Sequence, residues 1–248
     1  MRILQITDLH VSGQNQLPKG NVDTRKNLID VLGKISEEGF DLVVLSGDIC
    51  LDDPQPEIYT WVKEQFSTHI DRSKLRVIAG NHDDSLMMKN LMELPQSSVL
   101  DEVFFREDVA GYPTFFLDTA KDYGSDKQKG WLKKELNAVT AHTVLIFMHH
   151  PPVISGVPYM DQNHALKDRD DFRQIFTSFP QHTFQIFCGH YHCERTVVYE
   201  NMHVSITPSC YVQIDSRFDK FVPEHYVPGY RIIELKDDHI ETFVKYSI

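Results

Sequence analysis

Clusters of basic residues are absent from this sequence. Its 248 residues include 25 Lys and Arg against 36 Asp and Glu, which gives a formal net charge of -11 at pH 7, and no run of basic residues is longer than two. Binding to a nucleic-acid backbone or to an anionic membrane surface requires clustered Lys and Arg. The composition therefore argues against both kinds of partner.

Long apolar segments and closely spaced cysteines are also absent. No apolar run approaches the ~18 residues of a membrane-spanning helix, and the chain opens on a strand-like segment where a secretory signal would have charged and apolar regions. The four cysteines, at positions 50, 188, 193 and 210, show no CxxC spacing, which favours reduced thiols over disulfides. We therefore expect a cytoplasmic protein.

The apolar residues, 41% of the chain, follow strand and helix patterns in alternation. Residues 24–38 carry apolar side chains at i, i+3, i+4 and i+7, the spacing of one helix face, and Gly39 is a plausible end for that helix. Further helices are predicted around residues 58–66, 86–94, 131–139 and 172–179. Strands are predicted at 3–7, 42–45, 75–79, 103–106, 115–118, 143–148, 184–188, 196–199, 204–207, 231–235 and 242–246.

The order of these elements predicts an α/β (α+β) fold. Continuous apolar runs such as 42–45 are typical of strands covered on both faces, and the second half of the chain is richer in strands than the first. We expect a four-layer αββα sandwich, in which two packed mixed β-sheets are flanked by helices. Residues 1–248 show no linker or repeat, so we expect one domain.

Five of the apolar runs end, within two residues, on side chains that bind metal ions. Because ligands of open α/β sheets bind outside the carboxyl ends of the strands, these turns predict one metal site at one edge of the sheets. The mixture of imidazole, carboxylate and amide groups favours transition metals over magnesium or calcium. The five turns are Asp8-Leu9-His10, Gly47-Asp48, Gly80-Asn81-His82-Asp83, His149-His150-Pro151-Pro152 and Gly189-His190-Tyr191-His192.

Each turn taken alone is weaker evidence than the set. Asp8-x-His10 could be a surface loop, and Gly-Asp is common in turns. The turn with Asn81, His82 and Asp83 is more specific, because three polar ligand types rarely follow an apolar run by chance. Surface or core histidines remain the alternative for any one turn, whereas five such endings in order favour a site.

Two longer irregular stretches lie a few residues past these turns, at 153–167 and 210–230. Irregular segments of this length in a compact domain are often functional. We predict that both stretches form walls of a substrate pocket.

The order and context of the turns resemble the calcineurin-like metallophosphoesterases, over nearly the whole chain. Within that family, several segments are similar to the Icc-type cyclic-nucleotide phosphodiesterases. These segments are residues 149–152, 160–164, 188–192, 207–210 and 227–231.

The resemblance implies a ligand set for two transition-metal ions, with iron, manganese, zinc and cobalt all open. Asp48 would bridge the ions, and His149 is preferred to His150, which would have a packing or outer role. The first ion would be held by Asp8, His10, Asp48 and His192. The second would be held by Asp48, Asn81, His149 and His190.

Such a pair of ions suits phosphoester hydrolysis. Two divalent ions ~3.5–4 Å apart can hold a bridging hydroxide and polarise phosphoryl oxygens. They would also supply the positive charge that an acidic chain needs to attract phosphate. The resemblance implies a catalytic role for His82 at the phosphoryl group or the leaving oxygen, with an outer hydrogen bond as the alternative. It also suggests substrate contacts for Asn163 and His164.

The implied function is hydrolysis of a small phosphodiester, with 3′,5′-cyclic nucleotides such as cyclic AMP converted to 5′-monophosphates. The alternative is a broad-specificity phosphoesterase that acts on other small diesters or on monoesters. A non-catalytic scaffold would require damaged ligands, and none is damaged here. Because members of the family form dimers or larger assemblies, the resemblance also raises the prospect of a homo-oligomer.

Overall fold

Two large mixed β-sheets, one two-stranded antiparallel sheet and six α-helices form the structure, a computed structural model that describes residues 1–13, 16, 18–94 and 101–247. The helices are α1 Thr24–Glu38, α2 Pro56–His69, α3 Ser85–Leu91, α4 Asp126–Asn137, α5 Pro158–Asn163 and α6 Arg169–Thr177. The strands are β1 Arg2–Ile6, β2 Leu42–Ser46, β3 Leu75–Ile78, β4 Phe105–Val109, β5 Tyr112–Phe116, β6 Thr143–Phe147, β7 Thr183–Cys188, β8 Arg195–Tyr199, β9 Met202–Ile206, β10 Gln213–Ile214, β11 Pro223–His225, β12 Gly229–Leu235 and β13 Ile240–Tyr246.

The first sheet has five strands in the order β13-β12-β1-β2-β3. Strands β1, β2 and β3 are parallel, and β12 and β13 are added as antiparallel neighbours. The second sheet has six strands in the order β4-β5-β6-β7-β9-β8, of which β5, β6, β7 and β9 are parallel. Parallel strands bring their carboxyl ends to the same edge of a sheet, which is where the five predicted turns lie.

Three apolar cores separate four layers. Alternate residues of β2 face two different cores. Val43 and Leu45 join the core under α1, α2 and α3, whereas Leu42 and Val44 join the core between the sheets. A third core lies between the second sheet and α4, α5 and α6. A strand buried on both faces needs apolar side chains at every position. The predicted αββα sandwich is therefore confirmed.

A row of phenylalanines crosses the core between the sheets. Phe105, Phe116, Phe147 and Phe187 stand on the neighbouring strands β4, β5, β6 and β7, with successive ring centroids 4.4, 5.2 and 5.3 Å apart. The successive rings stack at interplanar angles of 8°, 11° and 27°. Stacked aromatic pairs contribute stabilisation beyond that of the apolar area they bury. The row therefore helps to fix the register of the second sheet.

The β4–β5 hairpin corrects two predicted strands. The strands were expected at 103–106 and 115–118, but they occupy Phe105–Val109 and Tyr112–Phe116. The hairpin turns through two residues with positive φ, Ala110 at 52° and Gly111 at 85°. A two-residue turn of this kind favours Asn-Gly or Asp-Gly. Because alanine stands at the first position, the sequence lacks this hairpin motif.

The two stretches expected to be irregular contain short regular elements. Residues 153–167 include α5, which begins at Pro158, a residue suited to the first turn of a helix, and residues 210–230 include β10 and β11. Elements of two to six residues are too short to show a periodicity in sequence. In addition, α3 ends at Leu91, earlier than the predicted residue 94.

Candidate metal centre

Backbone hydrogen bonds hold the five predicted turns together at one edge of the two sheets. In the first sheet, the amide of Asp8 donates to the carbonyl of Gly47 at 3.0 Å; in the second, the amide of Gly189 donates to the carbonyl of His149 at 3.0 Å. The amide of His190 donates to the Asp8 carboxylate at 3.0 Å and so joins the two sheets. The turns that were far apart in sequence therefore meet in one place.

Two groups of possible ligand atoms lie in this place, and Asp48 belongs to both. In each group, the atoms that could bind a metal lie within 4.8 Å of one another, and every residue is buried. One group contains Asp8, His10, Asp48 and His192, and the other contains Asp48, His149 and His190. The structure thus brings together the residues predicted to hold two ions, and their assignment as ligands stays a prediction.

Backbone carbonyls orient the histidines of the two groups. His149 Nδ1 lies 2.8 Å from the carbonyl of Ser46, and His192 Nδ1 lies 2.9 Å from that of Val212. In His190 the other nitrogen is fixed, because Nε2 lies 2.8 Å from the carbonyl of residue 164. Histidines that bind metals usually donate their second ring nitrogen in this way. One nitrogen of each ring is left for an ion.

The remaining nitrogen and oxygen atoms fit two transition-metal ions. Nε2 of His10 and Nε2 of His192 lie only 3.0 Å apart, and Nε2 of His149 and Oδ1 of Asn81 are buried without a hydrogen-bond partner. Buried polar atoms without partners are unfavourable, and a cation in each of the two groups would satisfy them. The mixture of imidazole, carboxylate and amide donors suits manganese, iron, cobalt or zinc.

Opposed pKa shifts show how strongly the buried charges interact. Burial opposes ionisation of Asp48, yet the neighbouring His149 outweighs it and holds the pKa of that carboxyl well below its usual range. Burial likewise disfavours charge on His149, but Asp48 and Asp8 raise its pKa to about 9. Burial lowers the pKa of His10 to about 4. The two carboxylates thus attract positive charge to the centre of the cluster.

Five of the seven predicted ligands have a left-handed backbone. Values of φ between 45° and 66° occur at Asp8, His10, Asp48, His190 and His192, half of the ten such non-glycine residues in the described part of the chain. This conformation is unfavourable for residues with a Cβ, by about 1–3 kcal/mol each. Strained backbone of this kind concentrates at functional sites, and it marks this edge of the sheets independently of the side chains.

Two glycines allow the turns to pack closely. At Gly189 an added Cβ would lie 2.0 Å from Thr7 Oγ1 and 2.6 Å from Asp8 Oδ2. At Gly47, where φ is +100°, it would lie 2.4 Å from His149 Nδ1. A side chain at either position would displace a predicted ligand or its immediate support.

Asp83 fastens two of the turns to each other. Its carboxylate accepts hydrogen bonds from the amides of Ile49 at 3.1 Å and Gly80 at 3.0 Å, and from the hydroxyl of Tyr59 at 3.2 Å. Asp83 therefore supports the turns after β2 and β3.

His150 and His82 lie next to the predicted ligands. The buried His150 ring packs 4.1 Å from the His190 ring, and its Nδ1 lies 2.8 Å from Thr119 Oγ1. Nδ1 of His82 lies 2.8 Å from the carbonyl of Asp52, and the His82 side chain lines the cavity above the cluster. His150 thus contacts a predicted ligand, whereas His82 faces the space where a substrate would bind.

The cavity has a volume of about 480 Å³, within the usual range of small-molecule sites. Both stretches predicted as pocket walls contribute to it, through Tyr159 and His164 from 153–167 and through Tyr211 and Phe221 from 210–230. Asn163 lies outside the lining, where its exposed amide donates to the carbonyl of Tyr159 at 2.8 Å. His164 therefore lines the cavity and Asn163 does not, and the substrate contacts of both residues stay predictions.

Several groups that build the site gave no signal in the sequence. The carbonyls of Ser46, Val212 and His164 act through the backbone, so residue type does not reveal them. Tyr159 and Phe221 read as ordinary apolar residues. The turn to α5 does contain a visible cue, Pro158 followed by Asp161, which is typical of the first turn of a helix.

Within the described residues, no helix combines the length and the apolar character needed to cross a membrane.

Comparison with known proteins agrees with this geometry. The model of the family described as calcineurin-like phosphoesterase matches residues 1–194. A probable cyclic nucleotide phosphodiesterase of Fibrobacter succinogenes is 32% identical over 249 residues, which cover 100% of this chain and 94% of that protein. The 3′,5′-cyclic adenosine monophosphate phosphodiesterase CpdA of Escherichia coli K12 is 29% identical over 245 residues, 96% of this chain and 86% of that protein.

A third relative carries a different enzyme name, and a solved structure shows a similar fold. A probable glycerophosphodiester phosphodiesterase, GpdQ, of Arcobacter nitrofigilis is 29% identical over 236 residues, 88% of this chain and 82% of that protein. The crystal structure of a dimetal phosphatase from Danio rerio superposes with a TM-score of 0.70 over 100% of this chain and 96% of that chain, at 13% identity. Since the family model matches most of the chain and the fold agrees, this protein is a member of the calcineurin-like phosphoesterase family.

Proposed function

We propose that this protein hydrolyses small phosphodiesters with two bound transition-metal ions, and that 3′,5′-cyclic nucleotides such as cyclic AMP are its substrates. The observation that carries the proposal is the pair of buried ligand groups that share Asp48 under an open cavity. The names of the relatives from Fibrobacter succinogenes and Escherichia coli support the choice of a cyclic nucleotide.

The ligand groups would hold the two ions with Asp48 between them. Asp8, His10 and His192 would complete the first set, and Asn81, His149 and His190 the second. When bound, two such ions lower the pKa of water and neutralise charge on phosphoryl oxygens. The chain itself contributes rigid positions, because backbone carbonyls fix each ring and buried amides fix the carboxylates.

His82 would act on the substrate from the cavity side. Nδ1 of His82 would donate its proton to the carbonyl of Asp52, which leaves Nε2 free to face the substrate. Only the imidazolium form of the ring carries a proton on both nitrogens, and in that form Nε2 would give its proton to the leaving oxygen. In a cyclic diester that oxygen stays attached to the same molecule, as the new hydroxyl of the 5′-monophosphate. His164, which also lines the cavity, would contact the substrate without taking part in proton transfer.

A broad-specificity phosphoesterase is the alternative. The relative from Arcobacter nitrofigilis carries the name of a probable glycerophosphodiester phosphodiesterase, which indicates a phosphodiester of a different alcohol. Both functions require the same ligands, and they differ only in what the cavity walls recognise.

We further propose that one domain over residues 1–248 carries the activity, because both sheets contribute ligands. A cytoplasmic location is supported by four buried free cysteines, which suit a reducing compartment. The net charge of -11 supports a small-molecule substrate without a nucleic-acid or membrane partner. A homo-oligomer is a proposal that rests on the family resemblance alone.

The test compares kcat/KM for cyclic AMP, a bis-aryl phosphodiester and an aryl monoester after loading with manganese, iron or zinc. We expect cyclic AMP to be hydrolysed to 5′-AMP and the monoester to be the poorest substrate. A preference for the monoester above ~100-fold, equivalent to ~2.7 kcal/mol of transition-state binding, would overturn the proposal. Inactivity on all three with every metal would favour a non-catalytic scaffold.

A further inference from the structure

The cavity above the predicted ligands has a lining of two chemical kinds. One part consists of polar ligand residues such as Asp48, Asn81 and His190. The other part is apolar and aromatic, and it is formed by Leu51, Tyr159, Tyr211, Val212, Ile214 and Phe221. A phosphate group requires only the first part, so the second part is available to another portion of the substrate.

Three aromatic rings of this second part line the same cavity as the predicted ligands. The Tyr211 ring is 5.7 Å from the ring of His10, a predicted ligand. The Tyr159 ring is 6.0 Å from that of Phe221, at an interplanar angle of 67°. Lys19 Nζ lies 5.3 Å from the centroid of Phe221. We call Tyr159, Tyr211 and Phe221 the aromatic wall.

The two tyrosines of the aromatic wall are held in position by their hydroxyl groups. The Tyr211 hydroxyl donates to the carbonyl of Lys19 at 2.9 Å, and the Tyr159 hydroxyl lies 3.0 Å from Nε2 of His164. Gly20, with φ at +80°, lies so close to Tyr226 that an added Cβ would be 2.5 Å from that ring. Rings fixed before binding lose less conformational freedom when a ligand arrives.

We propose that the aromatic wall is a nucleobase subsite, in which Phe221 and Tyr159 contact the planar base while the metal centre acts on the phosphate. This inference rests on the proposed function and names the part of the cavity that selects the substrate. Every nucleobase has a flat π-face that aromatic rings can stack on. Glycerol and other aliphatic alcohols have none, so the wall favours nucleotides over glycerophosphodiesters.

The scarcity of basic residues around the aromatic wall favours recognition of the base by its flat shape. Lys19 is the one Lys or Arg that lines the cavity in the part of the chain that the structure describes. Stacking discriminates little between bases, so we expect cyclic AMP and cyclic GMP to be accepted within about tenfold of each other in kcat/KM.

A binding experiment tests the subsite without turnover. The dissociation constants of adenosine 5′-monophosphate and ribose 5-phosphate are measured by calorimetry on metal-loaded protein, since the two ligands share the phosphate and the sugar. We expect the wild type to bind the nucleotide at least about tenfold more tightly, which corresponds to ~1.4 kcal/mol. Phe221→Ala and Phe221→Leu should reduce this ratio at least fivefold by the loss of a ring, whereas Phe221→Trp should keep it.

A kinetic experiment applies the same logic to the reaction. The kcat/KM for cyclic AMP is divided by that for methyl riboside 3′,5′-cyclic phosphate, which has no base, and Phe221→Ala should lower this ratio. Phe218→Ala is the matched control, because Phe218 belongs to the same segment, is 40% exposed and lies outside the cavity lining. We expect the control to retain the wild-type ratio.

The two proposals fail in different ways. A wild type that hydrolyses neither cyclic phosphate with any metal would refute the proposed function. Equal affinity of the wild type for adenosine 5′-monophosphate and ribose 5-phosphate would refute the subsite, whatever the activity. An unchanged ratio in Phe221→Ala, or an equal fall in Phe218→Ala, would also refute the assignment to the aromatic wall.

Discussion

His82 differs from the predicted ligands in the surroundings of its ring. The ring is partly exposed, lines the cavity and is anchored at one nitrogen by the carbonyl of Asp52. His149 and His190, in contrast, are buried among carboxylates and other imidazoles. Loss of the His82 side chain should therefore affect the reaction more than metal binding.

We expect His82→Ala to lower kcat by about 10²–10⁴-fold, the usual contribution of a positioned acid or base. Metal content per chain, measured by elemental analysis, should stay near that of the wild type. His239→Ala, a change at an exposed histidine far along the chain, serves as the control and should retain activity. A His82→Ala protein that loses metal would instead give His82 a structural role.

At the scale of residues, the sequence predicts side chains better than the backbone that supports them. Asp8, Asp48 and His190 are recognisable because acidic and imidazole groups follow apolar runs. Their left-handed φ values could not be foreseen, since this conformation is usual for glycine and not for histidine. The carbonyl of Ser46 that orients His149 is equally invisible, because every residue has a carbonyl.

The short helix α5 connects the cavity wall to the metal centre. The Asp161 carboxylate accepts hydrogen bonds from the amides of Ser155, Gly156 and Val157 at 3.0, 2.8 and 3.0 Å. It also accepts one from the hydroxyl of Tyr191, the residue between His190 and His192, at 3.0 Å. At the other end of α5, the carbonyl of residue 164 fixes the His190 ring.

We expect Asp161→Asn to destabilise the protein by about 1–3 kcal/mol, because an amide nitrogen cannot accept the hydrogen bonds that the carboxylate accepts. The affinity for whichever of the two metal ions binds more weakly should also fall about tenfold or more. Replacement of groups that orient metal ligands usually has an effect of this size. Urea denaturation and metal titration measure the two effects.

Tyr191→Phe is the matched variant for Asp161→Asn. It removes one hydrogen bond and leaves the amides of the turn paired, so its loss of stability should be smaller, about 1 kcal/mol. If the two variants were equally destabilised, the contribution would belong to Tyr191 and not to the turn before α5.

At the scale of elements, length decides what the sequence can show. Helix α1 and strand β2 were predicted almost to the residue, because the fifteen residues of α1 show the helical period and β2 is a continuous apolar run. Helix α5 has six residues and β10 has two, which is less than the pattern needs. Tertiary contacts, above all those of Asp161, select the conformation there.

A buried polar bridge joins the two sheets near the metal edge. Thr207 Oγ1 donates to Gln5 Oε1 at 2.6 Å and accepts from Arg231 Nε at 3.0 Å. Gln5 Nε2 donates to Ser46 Oγ and to the carbonyl of Cys188. Because Gln5 and Arg231 belong to the first sheet and Cys188 to the second, these bonds fix one sheet against the other.

We expect Thr207→Val to destabilise the protein by about 2–4 kcal/mol, since it leaves buried groups of Gln5 and Arg231 without a partner. Chemical denaturation should show the loss as a lower midpoint with an unchanged slope. Thr183→Val, at a more exposed hydroxyl that pairs with His142, should change stability by less than ~0.5 kcal/mol. An equal loss of stability in both variants would show that the polar bridge makes no special contribution to stability.

Metal removal should lower the stability of the whole molecule, because the predicted ligands come from both sheets. Binding at 100 times the dissociation constant stabilises a folded protein by about 2.7 kcal/mol, or about 5–10 °C in a chain of this size. Calorimetry with and without a chelator measures the difference. The variant Asp48→Ala should lose most of this response, and a full response in that variant would contradict a shared ligand.

At the scale of the molecule, the layering was predictable from the sequence, whereas the order of strands within each sheet and the position of one sheet on the other were not. Apolar runs reveal which strands are covered on both faces. The stack of Phe105, Phe116, Phe147 and Phe187 and the bridge through Thr207 arise from contacts between distant segments. Such contacts leave no period in the sequence, so they appear only in three dimensions.

The left-handed backbone at five predicted ligand positions opposes the stability of the fold to its catalytic activity. Glycine would adopt this conformation without strain, so replacement of a ligand by glycine could strengthen the metal-free chain while abolishing turnover. Selection for thermal stability alone would then enrich variants that are stable but catalytically inactive. Laboratory evolution of this protein should therefore screen for catalysis in every round.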